Sequence, residues 1–336
     1  MKRSFYSSLS VAFILFVFIA AWAPVTFARE GHPLGPRDLW MVWSLEPGVI
    51  AALVIVALLY FRGARKVWGR SASGRGIRRQ EAVSFAIGWL ALAIALVSPL
   101  DAWGRTLFSA HVAQSQVLML MAAPMLTLGR PLTAFLWAAP VKWRRRLVRL
   151  VNREWIRGAW QKLTAPGAAW LIYAVAVWLW HAPAFFQAAL HNELVHAAQQ
   201  FSFLFSALLF FEALIYGPDK RMGFGAAGIY VWAAGAQTGA LGALLALAPD
   251  VWYPAYQHAT AAWGMMLLED QQLGGLLMWF PAGLVYVVTG LVLFITWLRE
   301  SEQTTVQLEE AFLLDADLWR SKEWIDTNQD QMLNPE

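Results

Sequence analysis

Cysteine is absent from the 336 residues. That single absence excludes disulfides, CxxC redox chemistry and thiolate metal sites. Charge is scarce too: Asp, Glu, Lys and Arg make up 14% of the chain, against about 25% in an ordinary soluble domain. Hydrophobic residues make up 59%, above the ~45–50% of such a domain. A disordered chain is excluded, and a soluble globular enzyme does not fit. No internal repeat of about 20–50 residues is visible, and no glycine-rich phosphate loop stands between a strand and a helix. The GFGAAG run at 223–228 opens an apolar segment, so its glycines read as close helix packing.

What the chain does have is aromatic residues and long apolar runs. Twenty Trp and twenty Phe suit a protein with two membrane interfaces, where such rings settle. Lys2 and Arg3 precede an apolar run over 10–23 and small residues before Arg29. Residues 1–28 therefore read as a secretory signal, an uncleaved anchor or an ordinary first membrane helix. Seven further stretches reach the ~20 apolar residues a span requires: 40–61, 82–100, 107–128, 169–190, 195–216, 224–247 and 273–298. The expected fold is all-α, a polytopic bundle of seven transmembrane helices within 29–298, followed by an acidic tail over 299–336.

All but three of the 26 Lys and Arg residues (Arg29, Arg37 and Arg105) fall in 2–3, 62–79, 130–162, 220–221 and the tail. These segments alternate with the spans, so positive charge marks the cytoplasmic face. The expected place is the cytoplasmic (inner) membrane, with the C-terminus cytoplasmic. Lys142, Arg144, Arg145, Arg146 and Arg149 lie between two spans; their expected partner is membrane lipid, not nucleic acid. The tail after Arg299 has ten acids and two bases, reading as a solvated appendage with one amphipathic turn near 313–319. Residues 326–330 imitate the start of a calcium loop but lack glycine at its sixth place.

The six histidines, His32, His111, His181, His191, His196 and His258, all fall on the outer side or the outer half of the bilayer in this topology. Imidazole is the commonest protein metal ligand and titrates near neutrality. His111, His181 and His196 lie at membrane depth, where polar groups face the bundle interior; His32 and His258 are loop residues, and His191 ends a helix. Met119, Met121 and Met125 run along the third span, and Met265, Met266 and Met278 surround the last outer loop. Thioethers suit Cu(I), or else fill gaps in the bundle. Asp101 and Asp270 lie outside, as helix caps or cation ligands. Glu212 sits near the cytoplasmic end of the fifth span, within reach of Lys220 or Arg221.

Three sets of residues share a further property. They are His111-x-x-Gln114…Ala123-Pro124…Gly129-Arg130-Pro131; Trp180-His181-x-Pro183…Ala189-Leu190…His196; and Leu241-Gly242…Trp252-Tyr253-Pro254…Asp270-Gln271-Gln272-Leu273-Gly274-Gly275…Met278-Trp279. Together they resemble the CtaG family of caa3-type cytochrome c oxidase assembly factors over about 40–298. The resemblance implies a membrane-embedded assembly factor, not an enzyme, for a haem–copper oxidase. It would assist copper delivery or subunit maturation on the outer face, with oxidase subunits and other copper chaperones as partners. By that resemblance copper is the ion, His111, His181, His196, Met119 and Met278 are the candidate ligands, and Gln114, Asp101, Asp270, Gln271 and Gln272 are further functional candidates. Members of the family carry a second histidine four residues after the first on the third and fifth spans. Here Ser115 and Gln200 stand at those places, and both are poor ligands for a soft cation. Copper would have to draw on single ligands from different helices. Glu212 also replaces an aromatic residue usual in the family. The other class of function is a transporter of copper or another cation, with Met119, Met121 and Met125 as a path, but the spans hold few ionisable groups in their inner half. No nucleophile, base and orienting group recur together, so no catalysis is expected.

Overall fold

The computed structural model describes residues 43–69, 76–216 and 222–333. The N-terminal segment 1–28, His32, the first residues of the 40–61 stretch, and Lys220 and Arg221 lie outside them. Among the described residues every regular element is helical. In chain order they are α1 (Pro47–Trp68), α2 (Arg79–Val97), α3 (Pro99–Gly104), α4 (Phe108–Gln116), which continues through a π-helical turn (Val117–Ala122) into α5 (Ala123–Leu128), α6 (Pro131–Ala138), α7 (Val141–Val151), α8 (Glu154–Leu163), α9 (Pro166–His181), α10 (Pro183–His191), α11 (Glu193–Tyr216), α12 (Phe224–Ala246) and, after three short turns, α13 (Leu267–Leu333).

Helices α1, α2, α11, α12 and the Leu267–Gln303 part of α13 are each long and apolar enough to cross a membrane. Two more candidates come as bent pairs: Phe108–Leu128 with Pro131–Ala138, bent by 55°, and Glu154–Leu163 with Pro166–His181, bent by 63°. The expected seven crossings are reached when each pair is counted as one. The spans show open apolar flanks, as lipid-facing helices do: Val83, Ile87, Leu90 and Ile94 on α2, and Phe280, Leu284, Leu291 and Ile295 on α13, are exposed.

Proline and glycine explain where the structure departs from the apolar pattern. The first helix begins at Pro47, after an extended Glu46, because proline is preorganised for a first helical position. The stretch expected as one helix over 169–190 is broken at Ala182, which is extended ahead of Pro183, as residues before proline are. The loop expected over 130–162 folds into α6, α7 and α8. Arg130 joins α5 to α6 with φ +48°, a left-handed conformation uncommon outside glycine; its guanidinium stands 3.4 Å from Glu81 and 5.4 Å from the centre of the Tyr216 ring. The tail holds no proline or glycine between Leu291 and Asn334, and α13 runs on through it to Leu333 where a single amphipathic turn was expected.

Close helix packing occurs elsewhere than in the GFGAAG run. Among the described residues, a Cβ at Gly223 or Gly228 would meet nothing within 4 Å, and at Gly225 it would only touch Trp297. The close approaches are Gly63 against the Ala134 carbonyl, and Gly242 against Gly275, where added Cβ atoms would fall 1.8 Å and 2.9 Å from backbone oxygens. These glycines let α1 meet α6 and α12 meet α13 backbone to backbone.

Hydrogen bonds fix two ends of the bundle. At one, Lys66 Nζ donates to the Ala138 carbonyl at 3.0 Å and Tyr60 Oη to that of Gly129 at 2.9 Å; the basic end of α1, the start of α2 and the ends of α5 and α6 meet there. At the other, the Ser44 N–H donates to the Val97 carbonyl at 3.1 Å, and α3 follows at once. Helix α4 starts at this second end, which also holds the α9–α10 break and the start of α11. His111, His181, His191 and His196 therefore gather at one end. Glu212 is buried and lies near Tyr216, as do Arg130 and Glu81; its expected neighbours Lys220 and Arg221 lie outside the described residues.

Candidate functional site

Asp101 organises the polar interior of the histidine end. Ser98 caps α3 by accepting from the Leu100 N–H at 3.2 Å, and the tight first turn carries Asp101 inward, where it is buried. Ser44 Oγ donates to its Oδ2 at 2.8 Å, and Gln114 Nε2 donates to its Oδ1 at 2.9 Å. Gln114 also donates to the Ala95 carbonyl at 2.8 Å and accepts from Gln200 Nε2 at 3.0 Å. Arg105, one turn after Asp101, places Nε 3.6 Å from Oδ2 and pairs with Glu193. Burial opposes ionisation of Asp101, but His196, Arg105 and the Ser44 hydroxyl outweigh it and hold the carboxyl well below the usual carboxylate range. The same carboxylates push the Arg105 pKa up against its own burial.

Beside this network stand two imidazoles from different helices. The His111 ring on α4 and the His196 ring on α11 have centroids 6.2 Å apart. Both residues are buried. His196 Nε2 lies 3.9 Å from Asp101 Oδ1, an electrostatic distance beyond hydrogen-bond reach. Among the described residues neither nitrogen of His111 has a hydrogen-bond partner, nor does His196 Nε2, and the same holds for both amide atoms of Gln199 and for Gln200 Oε1. His196, Gln199 and Gln200 sit at helical spacings three and four and so share a face. Buried polar atoms are rarely left unpaired; a group of them on facing helices is what a ligand or ordered water would satisfy.

His181 is placed differently. Its Nδ1 lies 2.7 Å from the Val177 carbonyl, one turn back along its helix. The Phe186 ring neighbours both His111, at 5.0 Å, and His181, at 6.5 Å between centroids. Among the described residues no three His, Asp or Glu side chains are arranged to hold a metal ion together. The structure thus pairs His111 with His196 and leaves His181 associated with Phe186 and Phe203. Met119 and Met278 are buried. Met121 is half exposed on the outside of the bundle, while Met125 meets the backbone of α2 at Gly88, so these three methionines of one span line no common path.

The two positions of the absent histidines have structural roles. Ser115 Oγ donates back to the His111 carbonyl at 2.9 Å, and Gln200 holds Gln114 in place. Asp270, on α13, caps a helix other than its own. Its carboxylate accepts the Phe108 N–H at 2.6 Å, the Ser109 N–H at 3.1 Å and the Ser109 hydroxyl, groups that Leu107 at the N-cap of α4 cannot satisfy. Glu269 caps α13 itself through the Met266 N–H. Gln271 accepts the Trp252 N–H and donates to the Asp250 carbonyl, and Gln272 donates to that of Ala248, so both fasten the 248–253 loop to α13. That loop returns Tyr253 Oη to the His181 carbonyl at 2.7 Å; burial pushes the Tyr253 hydroxyl pKa up.

Sequence reasoning passed over Ser44, Gln199, Glu193 and the role of Arg105. Two signals were present. Arg105 is one of three bases on its side of the topology and follows Asp101 by four residues, and Gln199-Gln200 places adjacent amides one turn past His196 in an apolar helix.

The model of the cytochrome c oxidase caa3 assembly factor family matches residues 58–300. This chain belongs to that family. The match contains α2 to α12 and the whole constellation around Asp101 except Ser44. The "Uncharacterized protein Mb0105" of Mycobacterium bovis and the "Uncharacterized protein MT0111" of Mycobacterium tuberculosis are each 25% identical to it over 275 residues. Those alignments cover 78% of this chain and 40% of either relative, so the chain spans well under half of their length. No solved structure matches it significantly.

Proposed function

We propose that this protein is a non-enzymatic membrane factor that receives copper as cargo between His111 and His196 and passes it to a maturing haem–copper oxidase. One observation carries the reading: two buried imidazoles from different helices stand side by side, and both nitrogens of His111 and the Nε2 of His196 have no hydrogen-bond partner among the described residues. Imidazole is a good copper ligand, and an ionised Asp101 at 3.9 Å from His196 favours a cation there. Family membership supplies the oxidase as client. The distribution of Lys and Arg supports placing the histidine end on the outer face of the cytoplasmic membrane, with the C-terminus in the cytoplasm.

The test is a competition titration of the purified protein against a Cu(I) chelator. Wild type binds copper; His111→Ala and His196→Ala each weaken binding at least tenfold, and His181→Ala changes it far less. Equal binding by all four proteins overturns the pairing. Normal oxidase activity in copper-limited cells lacking the protein overturns the role itself.

A further inference from the structure

The end of the bundle opposite the histidines carries a helix whose chemistry the copper reading does not use. Val151 is the one buried residue of helix α7, and Arg144 and Val148 are half-buried. Trp143, Leu147 and Leu150 are 59%, 37% and 45% exposed. At ~100° per residue these three fall on one face with Val151, while Lys142, Arg145, Arg146 and Arg149 fall together on the opposite face. Arg144 is the one base among the apolar residues, and its guanidinium lies 4.6 Å above the Trp137 ring, an attractive cation–π contact.

The depth of α7 is set by its neighbours. It follows α6 directly, and the α6 C-terminus receives the Lys66 ammonium at 3.0 Å. Lys66 belongs to the last turn of the membrane-crossing helix α1, so α7 begins where α1 leaves the membrane. Helix α8 follows, and it too leaves an aromatic residue open, Trp155 at 68% exposed, while Trp160 anchors it in the protein. A half-apolar, half-cationic helix at that level is built to lie in the interface with its rings among acyl chains and its bases among headgroups.

We infer that α7 is a recognition element for anionic phospholipid, binding headgroup phosphates of the leaflet at this end through Lys142, Arg145, Arg146 and Arg149, with Trp143, Leu147 and Leu150 inserted beneath them. Charge complementarity selects the occupant. A zwitterionic surface would satisfy the apolar face but would not neutralise four bases on one arc, each of which gains from a nearby anionic surface.

The full chain is reconstituted in vesicles containing either brominated phosphatidylglycerol or brominated phosphatidylcholine at equal mole fraction. Subtracting the signal of Trp143→Phe isolates the quenching of Trp143. The inference requires quenching by the anionic lipid to exceed that by the zwitterionic one about fivefold, roughly what one base at an anionic surface contributes. In 1 M salt, where screening acts over ~3 Å, the ratio falls towards one; it does the same when the four bases are replaced by Gln. Equal quenching by the two lipids, no Trp143 component, or a preference that survives salt overturns the inference. The salt measurement uses the unaltered chain, so a variant that inserts incorrectly does not decide the outcome.

Discussion

His196 Nε2 stands 3.9 Å from Asp101 Oδ1, near enough to feel the carboxylate and too far to spend a hydrogen bond on it. Asp101 is already satisfied by Ser44 and Gln114, so it offers the imidazole its charge without claiming its nitrogen. That arrangement leaves the His196 Nε2 without a hydrogen-bond partner among the described residues, inside an apolar bundle where an imidazole would otherwise be tied to a neighbour.

Asp101 makes the folded protein sensitive to acid in a defined direction. Although burial opposes it, the folded-state pKa is depressed. The stability it contributes is therefore complete above the ordinary aspartate value of about 4 and is lost as pH falls below it, by up to ~1.4 kcal/mol per pH unit. Melting temperatures measured from pH 7 to pH 3 should drop more steeply at the acid end for wild type than for Asp101→Asn. Parallel curves would show that Asp101 carries no such linkage.

Gln199 and Gln200 are adjacent in the chain and should respond oppositely to substitution. Gln200→Leu removes the donor to Gln114 Oε1 and leaves a buried acceptor unpaired, a loss of about 1–3 kcal/mol. Gln199 has no partner for either amide atom among the described residues, so Gln199→Leu should leave stability unchanged or raise it. Thermal unfolding in detergent distinguishes the two; a matching loss in both variants contradicts the assignment.

Asp270→Ala should cost about 2–4 kcal/mol, because it uncaps α4 and strands the Phe108 and Ser109 N–H groups together. Asp270→Asn keeps one acceptor and should recover part of the loss. The check is the order of the three melting temperatures, wild type above Asn above Ala.

Gly275→Ala places a methyl 2.4 Å from the Ala246 nitrogen and 2.7 Å from the Gly242 oxygen, so α12 and α13 must separate, at about 1–3 kcal/mol. Gly228→Ala, where none of the described residues lies within 4 Å, should be neutral or slightly stabilising. Equal effects at the two positions would mean that the helices do not approach at Gly275.

Much of the architecture was legible because lipid demands long apolar runs, and α2, α11 and α12 lie close to where those runs are. The bends were harder to read. Pro183 announces a break but not its angle, and Arg130 adopts a left-handed turn that its own side chain does nothing to advertise. In the site, His111 and His196 stood out because polar residues are rare in such helices. Their mutual distance depends on how α4 and α11 pack, which no local pattern encodes. Gln200 looked like a missing ligand when considered alone; only the position of Gln114, 86 residues earlier, reveals what it holds.

The cap on α4 arrives late. Phe108 and Asp270 are separated by 162 positions, and a chain made from its N-terminus emerges in order. His111 therefore enters the membrane on a helix whose first N–H groups stay open until the final span has been synthesised. Until then the start of α4 has no internal partner from α13, and a chain cut short before Asp270 never gains one. Completion of the histidine-bearing chamber and completion of the polypeptide become a single event, so a truncated product carries the histidines without the frame that holds them.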